Sequence, residues 1–471
     1  VVVETGNSRV VAASLDRYED IDLVTVAHDA MTGEQLWNAQ FYGLGQRVNA
    51  DVMSVEVGPD AVFVTGYAAF SAPDPDNWHP LSFTIAYDLL TGEELWQALY
   101  PGQADSFASS SAISPDGTRL FVTGEIVGPP GKHLVDAMIV AYDTSDGDVV
   151  WSDSLTDSEK PARPLLGWRI DATEGRVAIV GSRLDNDGRA SYTTDILVAT
   201  WHGSGSNQGE LISRVLVPSR GGVPAGIVLA EGGTRAFVTQ GADPKISERG
   251  CGIQQCPDEY VKDLQHPTDP NRPNYVIEAA GTETVAIDIT TGSVLWRSRF
   301  KSLTPETPSY TRPWHQQPID ASADGRSVYV AVTSHDLTPP YNGTAIGGRS
   351  VLISYDGVTG ARQWAVPFGY ANLTLAWGPS VSVDPRGGRV VVAGMAYSPE
   401  AGPWRGWVVG FDSAGQPEWF RFNPSASGWN GIAHSPDGKR VFVGGWAKDS
   451  SGNTGMADDM ALSAYDTDAL T

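Results

Sequence analysis

The chain is poor in cysteine: its 471 residues contain two, Cys251 and Cys256, and no Cys-x-x-Cys-His run that would attach a haem. It is poor in positive charge, with 32 Lys and Arg against 56 Asp and Glu, a net charge of −24. That balance excludes a nucleic-acid or anionic-membrane partner, because either needs a basic face to displace counterions. Long apolar runs are missing too, and no stretch approaches the roughly 20 apolar residues of a membrane helix. No serine nucleophile elbow, His-Glu-x-x-His helix or glycine-rich phosphate loop stands in a usable setting. No targeting peptide is legible at Val1, as expected of a mature or trimmed end. What the chain does have is 52 Gly, 31 Pro and 15 Trp, with 41% hydrophobic and 19% charged residues. Turns that frequent in an apolar, aromatic chain predict short strands joined by tight loops in place of helices.

Internal repetition sets the expected architecture. An Ala-x-Asp-x-x-Thr-Gly-x-x-x-Trp phrase runs from Ala27 to Trp37 and returns from Ala86 to Trp96 and from Ala286 to Trp296. Looser copies span Ala141 to Trp151, Ser354 to Trp364 and Phe411 to Trp419, and the chain ends inside another at Ala464-Tyr465-Asp466. A copy due near residues 195 to 217 has lost its Asp-x-x-Thr-Gly. A second phrase alternates with the first, as in Ser114-Pro115-Asp116-Gly117 or Ser435-Pro436-Asp437-Gly438. Each phrase is a tight turn between two apolar runs, which is a hairpin signal. Two hairpins make four strands, here A to D in order, and the C strands fall near residues 24, 84, 139, 197, 285, 352, 408 and 463. The expectation is an all-β fold: one eight-bladed β-propeller of four-stranded antiparallel blades over residues 1–471. Residues 242–282 are read as a long loop insertion without strands, either a lid or an exposed decoration, and some exchange between the termini is expected to close the ring.

The recurring phrase resembles the tryptophan-docking motif of the quinoprotein (PQQ-like) propeller family, over nearly the whole chain. The resemblance implies eight blades, with Trp37, Trp96, Trp151, Trp296, Trp364 and Trp419 packed between neighbouring blades. It also implies a quinone-dependent dehydrogenase as one activity. The adjacent Cys-Cys pair and the Gly-Asn-Pro-x-x-Trp segment of those dehydrogenases are absent from this chain, so none of their cofactor residues carries over. Other members of the resembled family, such as the scaffold of bacterial outer-membrane assembly, bind protein partners through rim loops.

In an up-and-down blade the A-to-B and C-to-D turns share one face, and the longer B-to-C and D-to-A connections share the other. Binding residues collect on long connections. Strand ends on that face hold Arg47, Asn49, Glu125, Trp168, Arg169, Trp314, His315, Gln316, Trp377, Trp429, Asn430 and Trp446. Such a mixture makes either an aromatic, polar funnel for a ligand or a plug whose groups bond one another. His315, expected beside Ser334 or His335 and near Asp336, is the candidate acid–base or metal pair. Asp185, Asp187 and Asp195 alternate as calcium ligands do, although no later bidentate Glu follows. Cys251 and Cys256 either form a disulfide, which would mark an oxidising compartment, or remain free thiols.

The expected function is that of a secreted or periplasmic monomer binding a small ligand or protein partner in the funnel. One alternative is a PQQ-dependent dehydrogenase, with PQQ and calcium as its cofactors. Another is a hydrolase, lyase or isomerase that uses His and carboxylate groups or a metal at the channel mouth. Fold alone does not choose among them.

Overall fold

The computed structural model describes residues 2–9, 21–41, 48–71, 78–100, 105–128, 135–157, 165–185, 193–219, 224–230, 232–241, 245–247, 276–278, 281–300, 309–312, 318–336, 348–368, 375–398, 402–423, 426–447 and 459–467. All regular structure among them is strand. The first sheet has seven: β1 (Val2–Arg9), β2 (Ile21–His28), β3 (Gln35–Phe41), β4 (Val48–Val57), β5 (Ala61–Ser71), β6 (Trp78–Asp88) and β7 (Glu94–Leu99). Two four-stranded sheets follow. One is β8 (Asp105–Ile113), β9 (Arg119–Val127), β10 (Val135–Asp143) and β11 (Val149–Leu155); the other is β12 (Leu165–Thr173), β13 (Arg176–Asp185), β14 (Thr193–His202) and β15 (Leu211–Val217).

The fourth sheet joins β16 (Pro224–Ala230) and β17 (Arg235–Gly241) to β20 (Thr282–Asp288) and β21 (Ser293–Phe300). Between them β18 (Lys245–Ser247) and β19 (Val276–Glu278) pair with each other, Ile246 opposite Ile277. In the fifth sheet β22 (Ser309–Arg312) and β23 (Ile319–Ala321) both pair with β24 (Ser327–Asp336), which continues into β25 (Gly348–Asp356) and β26 (Arg362–Phe368). The sixth is β27 (Leu375–Val383), β28 (Arg389–Ser398), β29 (Gly402–Asp412) and β30 (Pro417–Asn423), and the last is β31 (Ala426–His434), β32 (Arg440–Ala447) and β33 (Asp459–Asp466).

These are antiparallel propeller blades, but among the described residues they number seven, and the expectation of eight is corrected. The first two repeats share one sheet. Among the described residues β3 pairs with β2 as far as Phe41, opposite Leu23, and β2 pairs with β4 as well, Ile21 beside Asn49 in a parallel pair. An unsatisfied strand edge is costly, and the neighbouring repeat covers it. The 242–282 insertion also departs from expectation, since it contains the β18–β19 ladder. Cys251 and Cys256 lie outside the described residues.

The chain divides into two compact units. One is Val1–Arg183 with Leu197–Val215 and Lys448–Ala464; the other is Leu184–Ile196 with Leu216–Ala447 and Tyr465–Thr471. The same packing device recurs within each. In the first unit the Asp88 carboxylate accepts the amides of Leu90 and Thr91 at 3.0 and 2.8 Å, and Gly92 closes the turn at φ +74°. The six-membered ring of Trp37 lies on that turn: a Cβ at Gly92 would stand 2.6 Å from it. The indole Nε1–H of Trp37 donates to Leu89 O at 3.0 Å, and Trp96 does the same to Thr144 O at 3.0 Å. In the second unit Trp296 donates to Gly357 O at 2.9 Å and Trp364 to Ser413 O at 3.2 Å. In the copy that lost its Thr-Gly, Gly209 lies under Trp151, and Trp201 stacks on Trp151 where Tyr87 and Tyr142 meet Trp37 and Trp96.

Candidate binding site

In the first unit the opening strands of successive repeats, β4, β8 and β12, lie beside one another. Each carries a bulge, with the register shifting between Val52 and Ser54, Ala108 and Ser110, and Gly167 and Arg169. Opposite each bulge the next strand has a glycine: Gly66, Gly124 and Gly181. A Cβ there would stand 2.0 Å from Asp51 O, 1.9 Å from Phe107 O and 1.7 Å from Leu166 O, so no side chain fits. Bulge and glycine come as a pair, and the extra residue is re-aimed.

At Gly167 the backbone of β12 meets β9 as well, because a Cβ there would stand 2.6 Å from Thr123 Oγ1 and 2.8 Å from Gly124 O. The residues that follow this glycine–glycine crossing are Glu125 on β9 and Trp168-Arg169 on β12. The backbone leading into Glu125 on β9 thus lies against the backbone leading into Trp168-Arg169 on β12. Phe107, directly opposite Glu125, meets the Tyr67 ring edge-on at 5.1 Å. The Tyr67 hydroxyl donates to Asp51 Oδ2 at 2.7 Å, and burial first, then Asp51, pushes its pKa up to about 12. Asp51 and Phe107 were not expected at the site; the glycines after Val64-Thr65 and Val122-Thr123 were the signal that could have found them.

The polar groups differ in how well they are satisfied. Trp168 is the extra residue of its bulge, and its Nε1–H donates to Ser182 Oγ at 3.0 Å. Arg183 reaches the buried Asp157 carboxylate at 3.3 Å. Arg169 has no such partner: its Nη1 donates to Trp168 O at 2.9 Å, and among the described residues nothing else bonds it. Burial depresses its pKa. Burial alone pushes the Glu125 carboxyl up to about 7. At the far end of β4, Glu56 is pushed up to about 8 by burial, with Asp171 adding to it.

The raised pKa of Glu125 has a stability consequence. The folded carboxyl holds its proton while the unfolded one, near 4.5, has lost it, so stability is present below pH 4.5 and declines as pH rises through about 7. Glu125→Gln abolishes that titration. The variant is expected to gain about 2 kcal/mol on wild type between pH 5 and pH 8, read from urea midpoints. No relative gain would show that the carboxyl titrates normally.

The other candidates fall elsewhere. Arg47, Trp314, His315, Gln316 and Asp187 lie outside the described residues. Asn49, Asp185, His335, Asp336, Trp377, Asn430 and Trp446 are placed on strands β4, β13, β24, β27, β31 and β32, and Asp195 stands half-buried on β14. The pairing expected for His315 lies outside the described residues; on β22 Tyr310 stands opposite His335 and Thr311 opposite Ser334. Trp429 is 1% exposed and packs on Gly406, so it is core and offers no face to a ligand. The constrained histidine of the second unit is His434, whose Nδ1 lies 2.8 Å from Ser382 Oγ. Burial, opposed by Asp384, brings its pKa down to about 4, and it ties the ends of β27 and β31 together.

Among the described residues no three of His, Cys, Asp and Glu stand close enough to hold a metal ion.

Residues 7–186 match a PQQ-like family described as outer membrane protein assembly factor BamB. No curated protein matches the chain. Among solved structures, it is similar to a europium-containing methanol dehydrogenase at 14% identity, covering 91% of this chain and 79% of that one with a TM-score of 0.49. It is similar to the quinohemoprotein alcohol dehydrogenase from Comamonas testosteroni at 13% identity, covering 94% and 72% with a TM-score of 0.46. The β-propeller domain of the trilobed protease from Pyrococcus furiosus gives 9% identity, 90% and 95% coverage and a TM-score of 0.41. Likeness at that level carries no functional argument.

Proposed function

We propose that the chain is a PQQ-like propeller protein of the periplasm or cell exterior that binds a small anionic molecule where β4, β8 and β12 bulge. The observation that carries this reading is Arg169. A half-buried guanidinium held by one backbone carbonyl is expensive, and a ligand carboxylate or other anion completes its hydrogen bonds. Trp168, Phe107 and Tyr67 supply flat faces, and the Glu125 carboxyl, pushed up to about 7 by burial, offers a donor in its protonated form. The placement outside the cytoplasm is supported by the match of residues 7–186 to an outer-membrane assembly factor.

The test is a calorimetric titration with small aromatic carboxylates and the matching primary amides. The acids are expected to bind about tenfold or more tighter than the amides, the worth of a charge-assisted hydrogen bond to a buried cation. Equal affinity for acid and amide would contradict the reading.

A further inference from the structure

One hairpin pair keeps the donors of an internal ion pair and replaces the acceptor. On β9–β10 and the turn that follows, the Asp143 carboxylate takes Arg119 Nη1 at 2.8 Å and the amide and hydroxyl of Ser145 at 3.0 and 2.7 Å. The turn after β14 is closed in the same way. There His202 N–H donates to Glu210 O and Gly209 N–H to His202 O, as Asp143 N–H does to Asp148 O and Gly147 N–H to Asp143 O. Gly203 N–H donates to Gly175 O at 3.0 Å, as Thr144 N–H does to Thr118 O. That alignment puts Arg176 in the place of Arg119, Ser204 in that of Ser145, and His202 in that of Asp143.

Other repeats keep the carboxylate. Arg119, Arg235 and Arg389 stand opposite Asp143, Asp288 and Asp412. All three have acceptors: Arg119 the Asp143 carboxylate, Arg235 the Gly357 carbonyl at 2.9 Å, and Arg389 the Glu418 carboxylate at 2.9 Å. Among the described residues nothing bonds the Arg176 guanidinium, and its Nη1 is buried. Directly opposite Arg176, the Thr173 hydroxyl is buried without a partner among them as well. Ser204 Oγ lies at the same turn, 3.7 Å from where a Cβ of Gly175 would stand. The carboxylates close in sequence do not serve: Glu174, exposed in the turn, forms no ion pair with Arg176, and Asp153 accepts Trp201 Nε1–H at 2.8 Å. A buried guanidinium nitrogen and a buried hydroxyl left unbonded each cost free energy that an outside acceptor recovers.

We propose that Arg176, Thr173, Ser204 and His202 bind a phosphate group, free or on a small molecule. The guanidinium and both hydroxyls donate, and a phosphate offers three acceptor oxygens where a carboxylate offers two. His202 in place of a carboxylate removes the charge that would repel the anion. The net charge of −24 acts from farther off, and salt at about 0.15 M screens it beyond about 8 Å. This site is at the turn end of β12 and β13 and uses none of the groups assigned to the Arg169 site.

The probe is inorganic phosphate, titrated calorimetrically at pH 7 with sodium chloride holding the ionic strength at about 0.15 M. Saturable binding is expected, weakened about tenfold or more by Arg176→Met and by His202→Asp, and several-fold by Thr173→Val. His202→Asp carries a second readout. Its carboxylate takes Arg176 and Ser204 as Asp143 takes Arg119 and Ser145, so the thermal midpoint without phosphate is expected to rise. An unchanged midpoint verifies folding of Arg176→Met. Glycerol phosphate separates the two sources of the group: tighter binding than phosphate marks an ester as the ligand, weaker binding marks the free ion, and both support the site. The proposal is overturned if phosphate binding does not saturate, if acetate binds as tightly as phosphate, or if Arg176→Met and His202→Asp bind phosphate as wild type does. That last outcome leaves the Arg169 reading standing, so the two fail separately.

Discussion

Replacing Trp96 with alanine is expected to lower the unfolding free energy of the first unit by about 3–5 kcal/mol, the range for buried Trp truncations. The indole fills the space between consecutive sheets. It faces Phe63 at 5.7 Å and Tyr142 at 6.3 Å, covers Gly147, and satisfies Thr144 O through its Nε1–H at 3.0 Å. Around it stand Leu120, Val122, Met138 and Val140, all buried. No rearrangement of rigid strands closes a hole of that size, so both the transfer and the cavity contributions are felt. Trp96→Phe keeps part of the volume and loses the hydrogen bond, and should fall between the two. Urea unfolding followed by circular dichroism measures both. A loss below about 1 kcal/mol for Trp96→Ala would mean that the indole is peripheral to the packing.

Gly124→Ala is the second large effect, and it couples stability to the site. The added methyl would stand 1.9 Å from Phe107 O and 2.9 Å from the Ala108 Cα, both backbone, so the bulge of β8 has to open. A loss of at least about 3 kcal/mol is expected, at the upper end for overpacking because no rotamer relieves a backbone clash. Binding of the aromatic carboxylate should fall with it, since Glu125 and Trp168-Arg169 flank this crossing. Gly33→Ala is the control. Its φ is +74° but nothing lies within 4 Å of the added Cβ, so only the cost of a left-handed turn, about 1 kcal/mol, is expected. Equal losses at Gly33 and Gly124 would show that conformation, and not the close strand approach, decides both.

The blade unit was legible because its turns are chemically obligatory. Asp88, Thr91 and Gly92 satisfy the turn amides and supply the positive φ, and the same types recur at Asp288, Thr291 and Gly292. The number of sheets was not legible. Eight C strands can be counted in the sequence, but that β4 pairs with β2, Ile21 beside Asn49, and so joins two repeats in one sheet leaves no mark on residue types. Glu125, Trp168 and Arg169 stood out in the sequence as unusual residues at strand ends. The crossing of the strands that carry them was hidden, because a bulge leaves no residue type of its own at the displaced position. Its trace lies on the neighbouring strand, as the glycine of Val64-Thr65-Gly66 or Val180-Gly181. The two registers along β24 were not legible either, since one turn at Asp324-Gly325 suggests a single register.

The central claim is that the Arg169 guanidinium, which among the described residues bonds one backbone carbonyl, anchors an anion, and Arg169→Met tests it most directly. Methionine keeps much of the apolar stem and removes the charge. In a calorimetric titration with the preferred aromatic carboxylate at pH 7, wild type is expected to bind with saturation and Arg169→Met about tenfold or more weakly, the acid and its amide becoming alike. Unchanged affinity for the acid in a variant that melts as wild type does would contradict it.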